Sequence, residues 1–201
     1  MAVVTGVVTA LDLWRLHERN ELSLTLRSGC DSIDSLLRGG FRSGILTEIC
    51  GEASAGKTQL CLQLLLQSTL PVPLGGLGGT ACYICTEGIG SIKRLHELAG
   101  VYARKYGSVV TSSRKRKRKR EELHGETTAA AAQSSNAFLD SIFIEQLYEA
   151  DDLLGLLVSR AQQSRLPTLL EEQNTKLIVI DSIAAVFRLE ATTSIKASAF
   201  L

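Results

Sequence analysis

Two things are missing from this 201-residue chain: a long apolar run and a cluster of metal-binding side chains. No stretch approaches the roughly 20 unbroken apolar residues that cross a bilayer, so no membrane association is expected. Residues 1–13 are mildly apolar, but they lack a basic leading segment and carry Asp12, so a signal peptide is not expected either. His17, His96 and His124 stand far apart and give no metal-ligand spacing. Cys30, Cys50, Cys61, Cys82 and Cys85 are an odd set scattered through apolar segments. That pattern predicts buried thiols in a reducing compartment. Cys82 and Cys85 spell C-x-x-C, but three residues apart on a strand their sulfurs face opposite sides and should not pair. No segment repeats.

Charge is nearly balanced, with 22 basic against 21 acidic residues and a net of +1. The balance hides an asymmetry. Arg114-Lys115-Arg116-Lys117-Arg118-Lys119-Arg120 holds 7 of the basic residues, and the remainder carries 15 basic against 21 acidic, a net of −6. Attraction to nucleic acid would have to come from that run or from a local patch. The run has three readings: a solvated loop, an importin-type nuclear signal, or a phosphate-contacting segment. It contains no aromatic residue, which argues against base stacking.

What is present is an apolar fraction of 45%, enough for a core in one domain, and one strong motif. Gly51-Glu52-Ala53-Ser54-Ala55-Gly56-Lys57-Thr58 reads G-x-x-x-x-G-K-T, the phosphate-binding loop. Residues 45–50, Ile-Leu-Thr-Glu-Ile-Cys, precede it as an expected strand, and Gln59 to Gln67 follow as an expected helix. The glycines let backbone N–H groups turn inward on phosphate, and the helix N-terminus adds its positive dipole end. Lys57 is then expected to reach the β- and γ-phosphates and Thr58 to hold Mg²⁺. A Gly-containing turn matching by chance is the bland alternative.

Around this loop the chain alternates. Residues 1–21 form a short N-terminal extension with weak helical character near Leu11 to Leu16. Leu22 to Leu26 alternates like an edge strand, and Asp31 to Leu37 reads as a short helix stopped by Gly39-Gly40. Phe41 to Gly44 is an expected turn, and Leu70 to Gly79 an expected flexible connection. Thr80 to Cys85 is an expected core strand. A helix opening at Ser91 should bury Ile92, Leu95, Leu98, Ala99 and Tyr102. Residues 107–137 are expected to be a disordered basic insertion. Ser141 to Glu145 and Leu177 to Asp181 read as strands, with a helix capped by Asp151-Asp152 between them. Strands apolar on both faces and alternating with helices predict an α/β fold with a mostly parallel sheet.

In such sheets ligands gather at the carboxyl ends of the strands. Two carboxylates stand there. Asp181 suits a Walker-B role toward Mg²⁺, and Glu87 suits a general base that positions water on the γ-phosphate. Capping of the strand ends is the bland alternative for both. A small-molecule kinase would need a lid and an acceptor pocket, and no motif for either is present.

The set as a whole resembles the RecA-type recombinases of eukaryotic homologous recombination. The likeness rests on Leu36 to Gly40, Gly44 to Glu48, Gly56 to Leu60, Thr86-Glu87-Gly88 and Leu177 to Ser182, and covers roughly residues 22–190 apart from the insertion. Finer detail resembles one paralogue branch: Tyr83 to Glu87 followed by Lys93-Arg94-Leu95, then Ile142 to Glu145 and Asp181 to Arg188. The resemblance implies a RecA-like P-loop NTPase core. It implies ATP and Mg²⁺ held by Gly51, Glu52, Ala53, Ser54, Ala55, Gly56, Lys57, Thr58 and Gln59, with Arg94 against the adenine, Asp181 at the metal and Glu87 as the hydrolytic carboxylate. It implies a heterodimer with another recombinase paralogue, action beside the main recombinase on single-stranded or branched DNA, and a nuclear as well as cytoplasmic location. A neighbouring subunit would supply half the nucleotide site. Residues 191–201 depart from the family as a divergent tail. The core is therefore expected to be incomplete at its C-terminus, poorly stable alone and a weak ATPase at best. A binding module that engages its partner without turning over ATP is the alternative.

Overall fold

The computed structural model describes residues 9–11, 24–117, 135–157, 170 and 172–188. Most of the expected N-terminal extension, residues 118–134 of the basic insertion and the whole 191–201 tail lie outside these.

Among the described residues three strands make the central sheet: β3 (Thr80–Cys85), β4 (Ile142–Gln146) and β5 (Thr175–Asp181), in the spatial order β4-β3-β5 and all parallel. The register sets Ala81 beside Ile142 and Leu177, and Cys85 beside Gln146 and Asp181. A separate antiparallel pair joins β1 (Thr25–Leu26) to β2 (Phe41–Arg42), with the short helix α1 (Asp31–Leu36) between them. Helix α2 (Lys57–Ser68) follows the Gly-rich loop, α3 (Ile92–Lys117) follows β3, and α4 (Ala150–Leu157) follows β4. Residues 135–139 and 183–188 are also helical. The α/β class with a parallel sheet is as the sequence predicts.

Period-two alternation sorts β3 and β5 onto two apolar layers. Ala81, Tyr83, Cys85 and Val179 face one layer with Leu62, Leu65 and Leu66 of α2, Leu95, Ala99 and Ala103 of α3, and Phe138. Cys82 and Ile84 face the other, with Leu153 and Leu156 of α4 and Val186. Each fully buried leucine contributes on the order of 2 kcal/mol, so α2 alone is anchored by several such terms. The same alternation puts Cys82 and Cys85 on opposite faces, as expected from their spacing. Burial pushes the Cys82 thiol up to about 11, with the nearby Glu145 adding to it. Cys30 and Cys50, by contrast, are exposed, so the expectation of uniformly buried thiols fails at the two cysteines that lie in connecting segments.

Four further expectations need correction. Residues 45–50, the expected strand before the loop, are coil, with Ile45 and Leu46 among the exposed apolar residues. A strand exists only through a hydrogen-bonded neighbour, and none among the described residues lies beside this segment. Phe41–Arg42, expected as a turn, pairs with β1, and the turn begins at Ser43. Helix α3 runs on to Lys117, so residues 107–117 extend it instead of opening a loop. Residues 70–79 are not a flexible connection. They fold into a 3₁₀ turn (Val72–Leu74) fastened by backbone hydrogen bonds, Leu77 N to Ser68 O at 3.0 Å and Gly78 N to Leu70 O at 2.8 Å among them. Buried Leu70 and Leu77 hold it down. Sequence reading registers Pro and Gly as breakers, but here they fit a tight turn clamped by its apolar residues.

Helix α1 is tied to the strand pair by a buried carboxylate. Asp34 accepts the Ser28 N–H at 2.6 Å and lies 3.4 Å from the Arg27 guanidinium. Burial raises its pKa, but the hydrogen bonds from Ser28, the Arg27 charge and the Gly29 N–H outweigh it, and the net shift is downward. A folded-state pKa below the unfolded one gives stability that is present above about pH 4 and lost as pH falls through the folded value. The melting temperature of the unaltered chain should therefore drop between about pH 5 and pH 3. That acid-dependent part should shrink in Asp34→Asn, as calorimetry across this range would read. Equal acid sensitivity of the two proteins would contradict the assignment.

Candidate nucleotide-binding site

The Gly-rich loop (residues 51–56) is exposed throughout and leads into the first turn of α2. Gly56, at φ +92°, takes the left-handed conformation that swings the chain into the helix, and Ser54 is also left-handed at φ +62°. The N-terminus of α2 has no side-chain cap. Among the described residues no side chain caps this first turn, which leaves its N–H groups available to an anion. The Lys57 ammonium folds back over the loop, donating to the carbonyls of Gly51 at 2.9 Å and Glu52 at 2.6 Å. A lysine curled over the backbone it belongs to is poised at the loop centre, where a phosphate oxygen can replace a carbonyl.

The carboxylates arrive by register. Asp181 shares the face of β5 that carries Leu177 and Val179 and is directed toward α2; Glu87 lies just past the end of β3. Together with Thr58, Tyr83, Gly88, Gly90 and Ser91 they line one cavity of about 190 Å³. Thr58, Glu87 and Asp181 were each picked out from sequence, and they meet. The strand ends are also clasped to each other. Thr86 Oγ1 donates to the Ser182 carbonyl at 2.7 Å and accepts the Ser182 N–H at 2.9 Å. The Asp181–Ser182 peptide is cis. Glu87 is paired with the Arg188 guanidinium.

From the first turn of α3, Arg94 donates through Nε to Gln59 Oε1 at 3.0 Å and pairs with Glu97 at 2.9 Å. Arg94, which the resemblance sets against the adenine, is thus a neighbour of Gln59, at the end of the loop motif, on an exposed surface. Three participants escaped the sequence reading: Tyr83, Ser91 and Arg188. Tyr83 donates to Asp181 Oδ2 at 3.0 Å and lies 3.1 Å from Ser91 Oγ. No local pattern marks Tyr83: only the parallel pairing of β3 with β5 makes residues 83 and 181 diagonal neighbours on one face.

The donor set is one hydroxyl and two carboxylates, all hard oxygen groups, next to a lysine and free helix N–H groups. That chemistry fits a hydrated divalent cation such as Mg²⁺ bound with a polyphosphate. Among the described residues, no cluster of three or more His, Cys, Asp or Glu side chains could hold a metal ion.

A parallel α/β sheet, a Gly-rich loop opening a helix, and a strand-end aspartate beside it define the class of RecA-like nucleotide-binding folds. Within that class the model of the Rad51 family matches residues 18–114 of this chain. It is 37% identical over 190 residues to the DNA repair protein XRCC3 of Bos taurus, covering 92% of this chain and 48% of that protein. It is 31% identical over 179 residues to the XRCC3 homolog of Arabidopsis thaliana, covering 87% and 50%. With the DNA repair protein RAD51 of Saccharomyces cerevisiae it shares 30% over 186 residues, covering 92% and 37%. The chain thus spans about half the length of the curated relatives it matches. Members of this family bind ATP.

Proposed function

We propose that this chain is an ATP-binding accessory protein of homologous recombination, acting in double-strand-break repair. The observation that carries the reading is the convergence of Thr58, Glu87 and Asp181 on one cavity beside the loop that holds Lys57. The relatives, named as DNA repair proteins, support the biological setting. In this reading the backbone of residues 51–56 and the Lys57 ammonium cradle the phosphates. The Thr58 hydroxyl and the Asp181 carboxylate would hold Mg²⁺, whose charge would offset that of the phosphate oxygens. Glu87 orients and deprotonates water once it leaves Arg188. Arg94, freed from Gln59, lies against the base. The partners are another recombinase paralogue, the main recombinase, and single-stranded or branched DNA, and the setting is the nucleus.

A second reading has one observation in its favour. Glu87 is engaged by Arg188 and not by the loop, which suits a module that binds its partner without turning over ATP. One experiment separates the two. A fluorescent ATP analogue is titrated with Mg²⁺, then with branched DNA and the paralogue added in turn, and phosphate release is followed. Mg²⁺-dependent nucleotide binding with DNA-stimulated release supports the first reading. Partner binding with no measurable nucleotide affinity sinks it.

A further inference from the structure

We propose that Tyr83 is a positioning residue for Asp181: its hydroxyl fixes one carboxylate oxygen and thereby aims the other at the divalent cation. The inference rests on the nucleotide-binding reading above and deepens it. Tyr83 is only 2% exposed, and its ring is packed into the apolar layer shared by β3, β5, α2 and α3, so it cannot swing. Its hydroxyl emerges into the cavity that Thr58 and Asp181 line.

Proton inventory fixes the direction of the hydrogen bonds. An ionised carboxylate can only accept, so the single Tyr83 hydroxyl proton goes to Asp181 Oδ2, 3.0 Å away. The Ser91 hydroxyl, 3.1 Å from the Tyr83 oxygen, must then be the donor in that pair. The result is a two-step relay, Ser91 to Tyr83 to Asp181, from the turn that opens α3 to the end of β5. It locks the plane of the carboxylate. Oδ2 is occupied by a donor, and Oδ1 is the oxygen left for the cation and its water. A buried tyrosine needs some partner, and any nearby carbonyl would meet that need. Spending the hydroxyl on the metal-side carboxylate gives it a role in the site.

The test compares nucleotide affinity with Mg²⁺ and with EDTA, by equilibrium titration of a fluorescent ATP analogue, in the unaltered chain and in Tyr83→Phe. The ring stays and only the hydroxyl goes. The ratio of the two affinities should fall roughly fivefold, the worth of one ordinary hydrogen bond. A general packing defect would weaken both arms and leave the ratio alone. Ser91→Ala should move the ratio the same way by about twofold, since Tyr83 would lose only its donor. It decides the matter should Tyr83→Phe fail to fold. An unchanged ratio in a folded variant, with the unaltered chain binding normally, overturns this inference and spares the nucleotide reading. Failure of the unaltered chain to bind nucleotide overturns both.

Discussion

Lys57→Ala should lower ATP affinity by about a hundredfold while leaving the chain folded. The ammonium group already sits at the centre of the loop, held by the Gly51 and Glu52 carbonyls. On nucleotide binding those two neutral hydrogen bonds give way to a charge-assisted contact with phosphate, worth up to about 3 kcal/mol. Alanine removes that contact and leaves the loop without the side-chain cation that faces the phosphates. The folded state loses little. Both carbonyls are exposed, and water takes over the vacated hydrogen bonds. Melting should therefore shift by no more than a surface substitution does, within about 0.5 kcal/mol. Titration with and without Mg²⁺ reads the first effect, and calorimetry the second. Undiminished affinity would remove Lys57 from the site.

The second large effect is on stability and lies away from the site. Gly76→Ala should destabilise the chain by about 3 kcal/mol, a fall of roughly 6–12 °C in melting temperature for a chain of this size. A Cβ built at Gly76 would stand 2.0 Å from the Leu70 carbonyl oxygen and 2.6 Å from that of Gln67. Both obstacles are backbone, so no side chain can rotate away. The turn would have to open, and with it the hydrogen bond from Arg27 N to Gly75 O at 2.9 Å, which ties β1 to this segment. Gly155→Ala is the contrasting case. It lies in α4 with nothing within 4 Å of a new Cβ, and relief of glycine's entropy cost should stabilise by about 0.5–1 kcal/mol. Similar melting shifts in the two variants would show that the close approach at Gly76 is not what holds the turn.

The parts of this fold that were legible in the sequence are those decided locally. The loop, its helix and the strands Thr80–Cys85 and Thr175–Asp181 carry their own periodicity or motif, and the two strand-end carboxylates follow from the rule about parallel sheets. What was not legible depends on neighbours. Residues 45–50 have the composition of a strand, but composition supplies no partner. Residues 70–79 have the composition of a loop, but Leu70 and Leu77 find a core. The Tyr83 hydroxyl could be assigned only once β3 and β5 were known to be adjacent and in register. The Glu87–Arg188 pair spans 101 residues, and no local pattern announces it.

The coil at residues 45–50 has a thermodynamic consequence. The phosphate loop is flanked by regular structure on its α2 side only, the condition under which its cradle shape would be one member of a population. A cradle present a tenth of the time binds about tenfold more weakly than a permanent one. Any polypeptide that laid a strand against this segment would raise that fraction and, with it, the affinity for nucleotide. By reciprocity, nucleotide would strengthen the strand's attachment by the same factor. Titrating either ligand at several fixed concentrations of the other measures the coupling from both directions, and a factor of one from both would mean the cradle is already fully formed.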